Sequence, residues 1–257
     1  MKARPSPAGS MLRDWRSHRR HSQLDLATRA NVSAKHLSYV ETGRAKPSPE
    51  MILHLCQHLD VPLRERNTIL LAAGYAPQYH STSLDHTDAN DVRHLVDLVI
   101  SEHSFPTVVV DAQWNLIAAN PAAAIFTEQV AVELLEPPTN VIRLSLHRDG
   151  LAPHVVNFVE YATHLINRLR RTNNHYPDVT LQSLLDEFGH LASPHASQHP
   201  GVLLPLELRT SSGVVRMFST ITTFGAPHDV TLAELAVETF YPADDHSRTL
   251  LATRNGQ

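Results

Sequence analysis

Residues 22–48, SQLDLATRANVSAKHLSYVETGRAKPS, carry the signals of two short helices joined by a tight turn. Ser22 is placed to cap the first, whose apolar positions Leu24, Leu26, Ala27 and Ala30 are expected to face inward. Asn31 tolerates the left-handed backbone that a tight turn needs, and Val32 fills the space between the helices. Ser33 then caps a second helix that buries Leu37 and Val40 and stops at Gly43. So short a helix is not stable alone, so packing must hold it. Its polar face, made of Ala34, Lys35, His36, Ser38 and Tyr39, is left for another task.

An ordinary helical core would also contain such a pair, and the distribution of charge separates the two readings. Residues 1–80 hold twelve Lys+Arg and six Asp+Glu, a formal +6; the remainder holds ten and twenty, a formal −10. The whole-chain value of −4 hides this split. A basic front on an acidic body fits phosphate binding at one end and solubility at the other. In helix-turn-helix proteins the polar face of the second helix enters the major groove, so the expected partner is double-stranded DNA.

With its surroundings the segment resembles the Cro/repressor-type (XRE-type) helix-turn-helix family over residues 9–75. The match takes in a leading helix MLRDWRSHRRHSQ, the two helices above, a fourth near PEMILHLCQHLD and a fifth near PLRERNTILLAAGY. It implies an all-α, five-helix lambda-repressor-like DNA-binding domain with roles for particular positions. Gln23 would touch phosphate or brace the reading helix. Ser33, Ala34, Lys35 and Tyr39 would face base edges or the adjoining backbone. Thr42, Arg44 and Lys46 would contact phosphates. Arg16 and Glu41 match a pair that clips the first helix to the third. The chain departs from the family in having Ala34 where glutamine is frequent, which moves direct base reading to Lys35 or His36; lysine at guanine O6/N7 is a common pairing.

At 257 residues the chain exceeds one typical domain, and 42% hydrophobic residues suffice for two cores. No run of eighteen apolar residues exists, so no membrane span is expected. The start, MKARPSPAGS, lacks the apolar core of a signal peptide. The single cysteine, Cys56, follows the helical pattern of Ile52, Leu55 and Leu59. It reads as a small buried hydrophobe, which excludes an intramolecular disulfide and fits a reducing cytoplasm. Residues 77–90, PQYHSTSLDHTDAN, are polar and aperiodic and read as a linker. The expected division is residues 1–76, the linker 77–90, and a second domain over 91–257.

That second domain opens with a helix at 91–103, followed by a hairpin: Val108–Val110, a turn at Asp111–Gln113, and Trp114–Ala119. Asn120-Pro121 begins another helix. In GLAPHVVNFVEYATHLINRLRR the positions Val155, Phe158, Val159, Ala162, Leu165, Ile166 and Leu169 follow helical spacing, with Arg168, Arg170 and Arg171 off the stripe. A shorter helix lies at TLQSLLDEFGHL. The chain then switches to period two in GVLLPLELRT, VVRMFSTITTFG and, after the turn GAPHDV, TLAELAVETFYP: an antiparallel meander. In the last strand Glu234 and Glu238 are expected on a wet face and Ala233, Leu235, Val237 and Thr239 on a packed one.

A hairpin, then helices, then three strands is the order of a five-stranded antiparallel sheet with covering helices, an α+β PAS-like arrangement. PTVVVDAQWNLIAANPAAA, NVIRLSLHRDGLAPHVVNFVEY and MFSTITTFGAPHDVTLAELAVETFYPAD resemble the ligand-binding domain of MmyB-like transcription regulators over residues 91–245. The resemblance implies a one-component regulator with a small-molecule sensor behind the DNA reader, and for some members a fatty-acyl ligand. Such domains hold ligands between the sheet and its helices. The candidates with the right facing are Trp114, Phe126, Phe158, Leu165, Phe188, Phe218 and Ile221, although aromatics at these positions also serve as plain core. Ser219, Thr220, Thr222 and Thr223 offer polar anchors or simple β-propensity.

Eighteen histidines include pairs with ligand-like spacing, His18/His21, His54/His58 and His195/His199. Only pairs are visible where a structural site needs four ligands, so no metal is expected. No G-x-S-x-G, P-loop or G-x-G-x-x-G appears, and Asp186/Glu187 sit on an amphipathic helix, so no cofactor and no enzyme activity is expected. Two classes remain open. One is a transcription regulator whose rear domain binds a small apolar molecule; the other is a ligand-free DNA-binding adaptor whose rear domain dimerises or recruits a partner. One short helix buries little DNA, so a homodimer on paired half-sites is expected.

Overall fold

The structure is a computed structural model, and it describes residues 6–82, 90–194, 196, 203–225 and 227–254. The chain forms two compact units, residues 1–83 together with 226–233, and residues 84–225 together with 234–257.

The first unit is built on five helices: α1 (Pro7–His18), α2 (Gln23–Arg29), α3 (Ala34–Glu41), α4 (Pro49–His58) and α5 (Leu63–Ala72). Serine caps four of them. The hydroxyls of Ser6, Ser22, Ser33 and Ser48 accept from backbone amides in the first turns of α1 to α4, each satisfying a donor the helix leaves orphaned. At Ser22 the exchange is reciprocal, with Asp25 accepting from the Ser22 amide. Asn31 takes the left-handed conformation at φ 51° in the turn, and Gly43 ends α3 at φ 74°. Leu12, Leu26, Leu37, Ile52, Leu55, Leu59, Ile69 and Leu70 make the core, none more than 1% exposed. Leu24 is not among them. It is 67% exposed, because α2 offers Leu26 and Ala27 to the core and Leu24 lies off that face. Gly9 permits the tight crossing of α1 and α3: a Cβ there would stand 2.2 Å from the Val40 carbonyl oxygen.

Residues 226–233 lie between two strands of the second unit in sequence but pack with the first. Asp229 Oδ2 accepts from the Thr82 amide and hydroxyl, the His80 carbonyl accepts from the Val230 amide, and Thr231 Oγ1 donates to the Thr82 carbonyl.

The second unit begins with α6 (Asn90–Ser101) and holds one antiparallel sheet of β1 (Thr107–Val110), β2 (Leu116–Ala119), β3 (Leu206–Thr210), β4 (Gly213–Thr223) and β5 (Ala236–Pro242), in the order β2-β1-β5-β4-β3. Between β2 and β3 the chain runs through 3₁₀ turns at Pro121–Phe126 and Val132–Leu135, then α7 (Val141–Leu146), α8 (Phe158–His175) and α9 (Val179–Phe188). The buried residues of α7, α8 and α9 join Val108, Val110, Leu206, Leu208, Val215, Met217 and Phe240 in one cluster, so these helices cover one face of the sheet. The α6 helix packs on β1 and β2. Val109 and Val237, which oppose each other and point away from that cluster, are buried too.

Several elements differ from their sequence-based expectation. The helix expected at Asn120-Pro121 is a 3₁₀ helix, capped by the Asn120 side chain on the Ala123 amide. Trp114 belongs to the hairpin turn, not to β2. The stretch expected to open the last strand is α10 (Val230–Glu234), so the strand starts at Ala236. Glu238 is buried, and it shares the cavity-facing side of β5 with Phe240, while Val237 and Thr239 face the other way. Pairing explains this: Glu238 stands opposite Val108 and Phe240 opposite Ser219, and alternate residues share a face. The C-terminal α11 (Asp245–Arg254) carries little periodic signal, its large apolar residues being Leu250 and Leu251, yet it packs on β4 and β5 with Leu251 buried.

Candidate functional site

Two surfaces carry chemistry, one in each unit. In the first, α3 is fixed from behind and open in front. Arg16 of α1 grips Glu41 through two parallel hydrogen bonds, Nε to Oε1 at 2.7 Å and Nη2 to Oε2 at 2.8 Å, and Gln23 Nε2 donates to Oε2 at 2.7 Å. Three donors thus converge on a fully buried carboxylate, and the Glu41 hydrogen bonds hold the Arg16 guanidinium pKa above its ordinary value. Arg16 Nη1 also donates to the His21 carbonyl, which ties the start of α2 into the clip. Sequence left Gln23 two roles; in the structure its amide donates to Glu41 of α3.

The front of α3 faces solvent. Ser33, Lys35, Thr42, Arg44 and Lys46 are exposed, and Ala34, His36, Ser38 and Tyr39 half-buried. The ammonium of Lys35 and the guanidinium of Arg44 each lie 5.8 Å from the centre of the Tyr39 ring, so two cations gather around one aromatic ring. Lys46 Nζ sits 4.7 Å from the Tyr75 ring. Thr42 is occupied differently, its hydroxyl donating to the Ser38 carbonyl at 2.6 Å as a helix-end cap. Ser33 accepts from the His36 amide, which leaves its own proton available. The exposed strip therefore carries three cations and no carboxylate, since Glu41 is turned into the core.

The second surface is an interior one. A cavity of about 430 Å³ lies between the sheet and α7, α8 and the Pro121–Phe126 turn, in the range of small-molecule sites. Trp114, Phe126 and Leu165 are among the residues that line it. Phe158 and Phe188 pack into the same core without reaching the cavity. Phe218 lies on the reverse face of β4, opposite Tyr241 and stacked on it at 5.6 Å, and Ile221 is 43% exposed. The hydroxyl-bearing residues Ser219, Thr220, Thr222 and Thr223 are exposed as well. This half of β4 runs past the covering helices, which period-two alternation cannot reveal.

Trp114 holds a left-handed backbone at φ 67°, unusual for a large side chain and costing about 1–3 kcal/mol. Surrounding bonds impose it. The Trp114 amide donates to the Asp111 carbonyl, the Trp114 carbonyl accepts from the Val141 amide, and Asp111 Oδ1 accepts from the amides of Gln113 and Asn115. Asn140 Nδ2 donates to the Gln113 carbonyl, joining the turn to the start of α7. The indole that this geometry delivers lies under the Arg168 guanidinium at 4.2 Å. Phe126 and Phe240 close another wall with ring centres 4.7 Å apart.

Sequence reasoning missed the polar part of the wall: Glu238 of β5, Tyr161 of α8 and Ser145 of α7. Glu238 shares a face of β5 with Phe240, but which face of that strand turns inward is set by its pairing and by the helices packed on it. Tyr161 and Ser145 required knowing which turns of α7 and α8 face the sheet.

The described histidines and Cys56 have structural surroundings. His54 Nε2 bonds the Ala30 carbonyl at 2.7 Å, a strut between α4 and the turn. His195 and His199 lie outside the described residues. Among the described residues no group of three His, Cys, Asp or Glu is arranged to hold a metal. Burial pushes the Cys56 thiol up to about 12, so it stays protonated. No helix among the described residues is long and apolar enough to cross a membrane.

The arrangement defines a class: a helix-turn-helix DNA-binding regulator joined to an α+β ligand-binding domain. A helix-turn-helix domain model matches residues 8–69, and the MmyB-like transcription regulator ligand binding domain matches residues 92–253. The chain belongs to the MmyB-like transcription regulators. Neither match is to an enzyme family. No curated protein matches the chain in sequence.

Proposed function

We propose that this regulator reads duplex DNA with the strip running from Ser33 to Lys46 and responds to a small apolar ligand held in the cavity behind Trp114. The carrying observation is the asymmetry of α3: a carboxylate clipped inward, and Lys35, Tyr39, Arg44 and Lys46 facing solvent. Lys35 and Tyr39 read bases, with Ser33, Ala34, His36 and Ser38 shaping the contact, and Arg44 and Lys46 hold phosphates. Thr42 contributes through the end of α3, and Gln23 by bracing Glu41. Two copies bind paired half-sites as a homodimer in the cytoplasm, because one helix of eight residues covers too little DNA alone. The ligand carries a long apolar chain of the fatty type. It acts by favouring one arrangement of the reading heads, and a tenfold change in operator affinity needs only about 1.4 kcal/mol of preference.

The test begins by selecting an operator from random duplexes with the full chain. Lys35→Ala should weaken the selected site by about 1–3 kcal/mol more than random DNA. Equal losses on both would show that Lys35 meets only phosphate. Unchanged operator affinity across a series of apolar probes would favour the ligand-free adaptor.

A further inference from the structure

The wall of the cavity carries polar groups, and most are already committed. Asn120 uses its whole amide, Oδ1 accepting from the amides of Thr107 and Ala123 and Nδ2 donating to the carbonyls of His103 and Phe105. The hydroxyls of Thr127 and Thr139 donate to the carbonyls of Ala124 and Leu135. Three groups keep hydrogen-bonding capacity toward the interior: Glu238, and the hydroxyls of Tyr161 and Ser145, which bond each other.

Among the described residues Glu238 is the one charged member of that wall, and its side chain is only 9% exposed. Its Oε1 accepts from Arg168 Nη1 at 3.2 Å, whereas Oε2 has no partner among the described residues. Arg168 itself stays outside the lining, stacked on Trp114. One cation therefore neutralises one carboxylate, and no positive charge is left for an incoming anion. Tyr161 lies near enough for the Glu238 charge to act on it: burial first, and that charge second, raise the pKa of its phenol well above the usual value. The phenol is therefore protonated throughout the physiological range, beside Ser145.

We infer that the polar end of this cavity selects a ligand head that donates a hydrogen bond and carries no negative charge, a long-chain alcohol, amine or amide in preference to an ionised fatty acid. The free oxygen of Glu238 accepts the donor; the hydroxyls of Tyr161 and Ser145 complete the shell. An ionised carboxylate placed here would lose its hydration, meet Glu238 at close range and find no cation among the lining residues. This inference rests on the reading of the cavity as a ligand site, and the probes below separate the two.

Decan-1-ol and decanoate, equal in chain length, are titrated into the full-length protein at pH 8, with binding read by calorimetry and by the thermal transition of the rear domain. Decan-1-ol is expected to bind about tenfold tighter or better, because a site built to accept a proton rejects a like charge. Glu238→Gln removes the repulsion and unpairs Arg168, so decanoate should gain and the preference narrow or reverse. Tyr161→Phe, which keeps the ring, should weaken decan-1-ol several-fold and leave the melting transition of the unliganded protein in place. Decanoate binding as tightly as decan-1-ol would overturn the inference while leaving the ligand site standing. A preference unmoved in both variants would overturn it also. If neither probe binds, the ligand reading and the inference fall together.

Discussion

The two units use their surfaces in opposite ways. The DNA-binding unit closes its interior, with eight large aliphatic side chains each at 1% exposure or less, and turns its chemistry outward on α3. The rear unit leaves about 430 Å³ open inside and turns its chemistry inward, onto Glu238, Tyr161 and Ser145. A surface that must lie against a duplex has to be rigid, so its core is filled and its buried carboxylate, Glu41, is saturated by three donors. A surface that must enclose a small molecule keeps packing energy in reserve for it.

The largest expected effect comes from breaking the clip behind α3. Glu41→Ala strands the Arg16 guanidinium in a nearly dry site, and removing one partner of a buried pair costs about 3–5 kcal/mol. Urea unfolding monitored separately for each unit should show the head lost first and the rear transition unmoved. Coincident loss of both would mean that the units do not unfold independently.

A matched pair of truncations sharpens the contrast. Leu26→Ala opens a void in a filled core and should cost about 2–5 kcal/mol. Leu165→Ala enlarges an existing space, so it should cost visibly less, measured by the same unfolding assay. Equal costs would argue that the rear cavity is closed in solution. Arg44→Ala then tests the outward face: affinity should fall on all duplexes, and the slope of log affinity against log salt should drop by about 1. An unchanged slope removes Arg44 from the phosphate contacts.

The smallest effect concerns the capping box of α2. Ser22→Ala should cost the head about 1 kcal/mol. Hydrogen bonds from the Ser22 hydroxyl and amide hold the Asp25 carboxyl below its usual range. Its folded pKa lies below the unfolded one, so the contribution is complete above about pH 4 and fades as acid protonates the folded carboxyl. An acid titration of head stability should therefore be flatter in Ser22→Ala than in the parent chain, and identical curves would remove Asp25 from the cap.

Local rules made the head readable. Ser22, Ser33, Asn31 and Gly43 each act within a few residues of their own position, and the structure shows each acting as its chemistry dictates. Leu24 was misread because α2 has only seven residues, too few to fix its buried face by spacing alone. The rear unit was readable as strands and long helices but poorly as a site. Phe218 and Ile221 satisfy the strand pattern, yet what covers β4 is decided by helices encoded more than thirty residues earlier. Glu238 looked like a wet-face glutamate because its compensating partner, Arg168, lies seventy residues away.

Sequence alone determined the order of elements, the caps and turns of the DNA-binding head, the charge split between the units and the strand alternation of the sheet, because each depends on neighbours along the chain. Tertiary structure alone decided that Trp114 adopts a left-handed backbone beneath Arg168, that Glu238 points inward with one oxygen open, and that α7 and α8 stand far enough from the sheet to leave a cavity. Those features depend on close contacts between distant segments, where a shift of a single residue in facing exchanges an exposed group for a buried one.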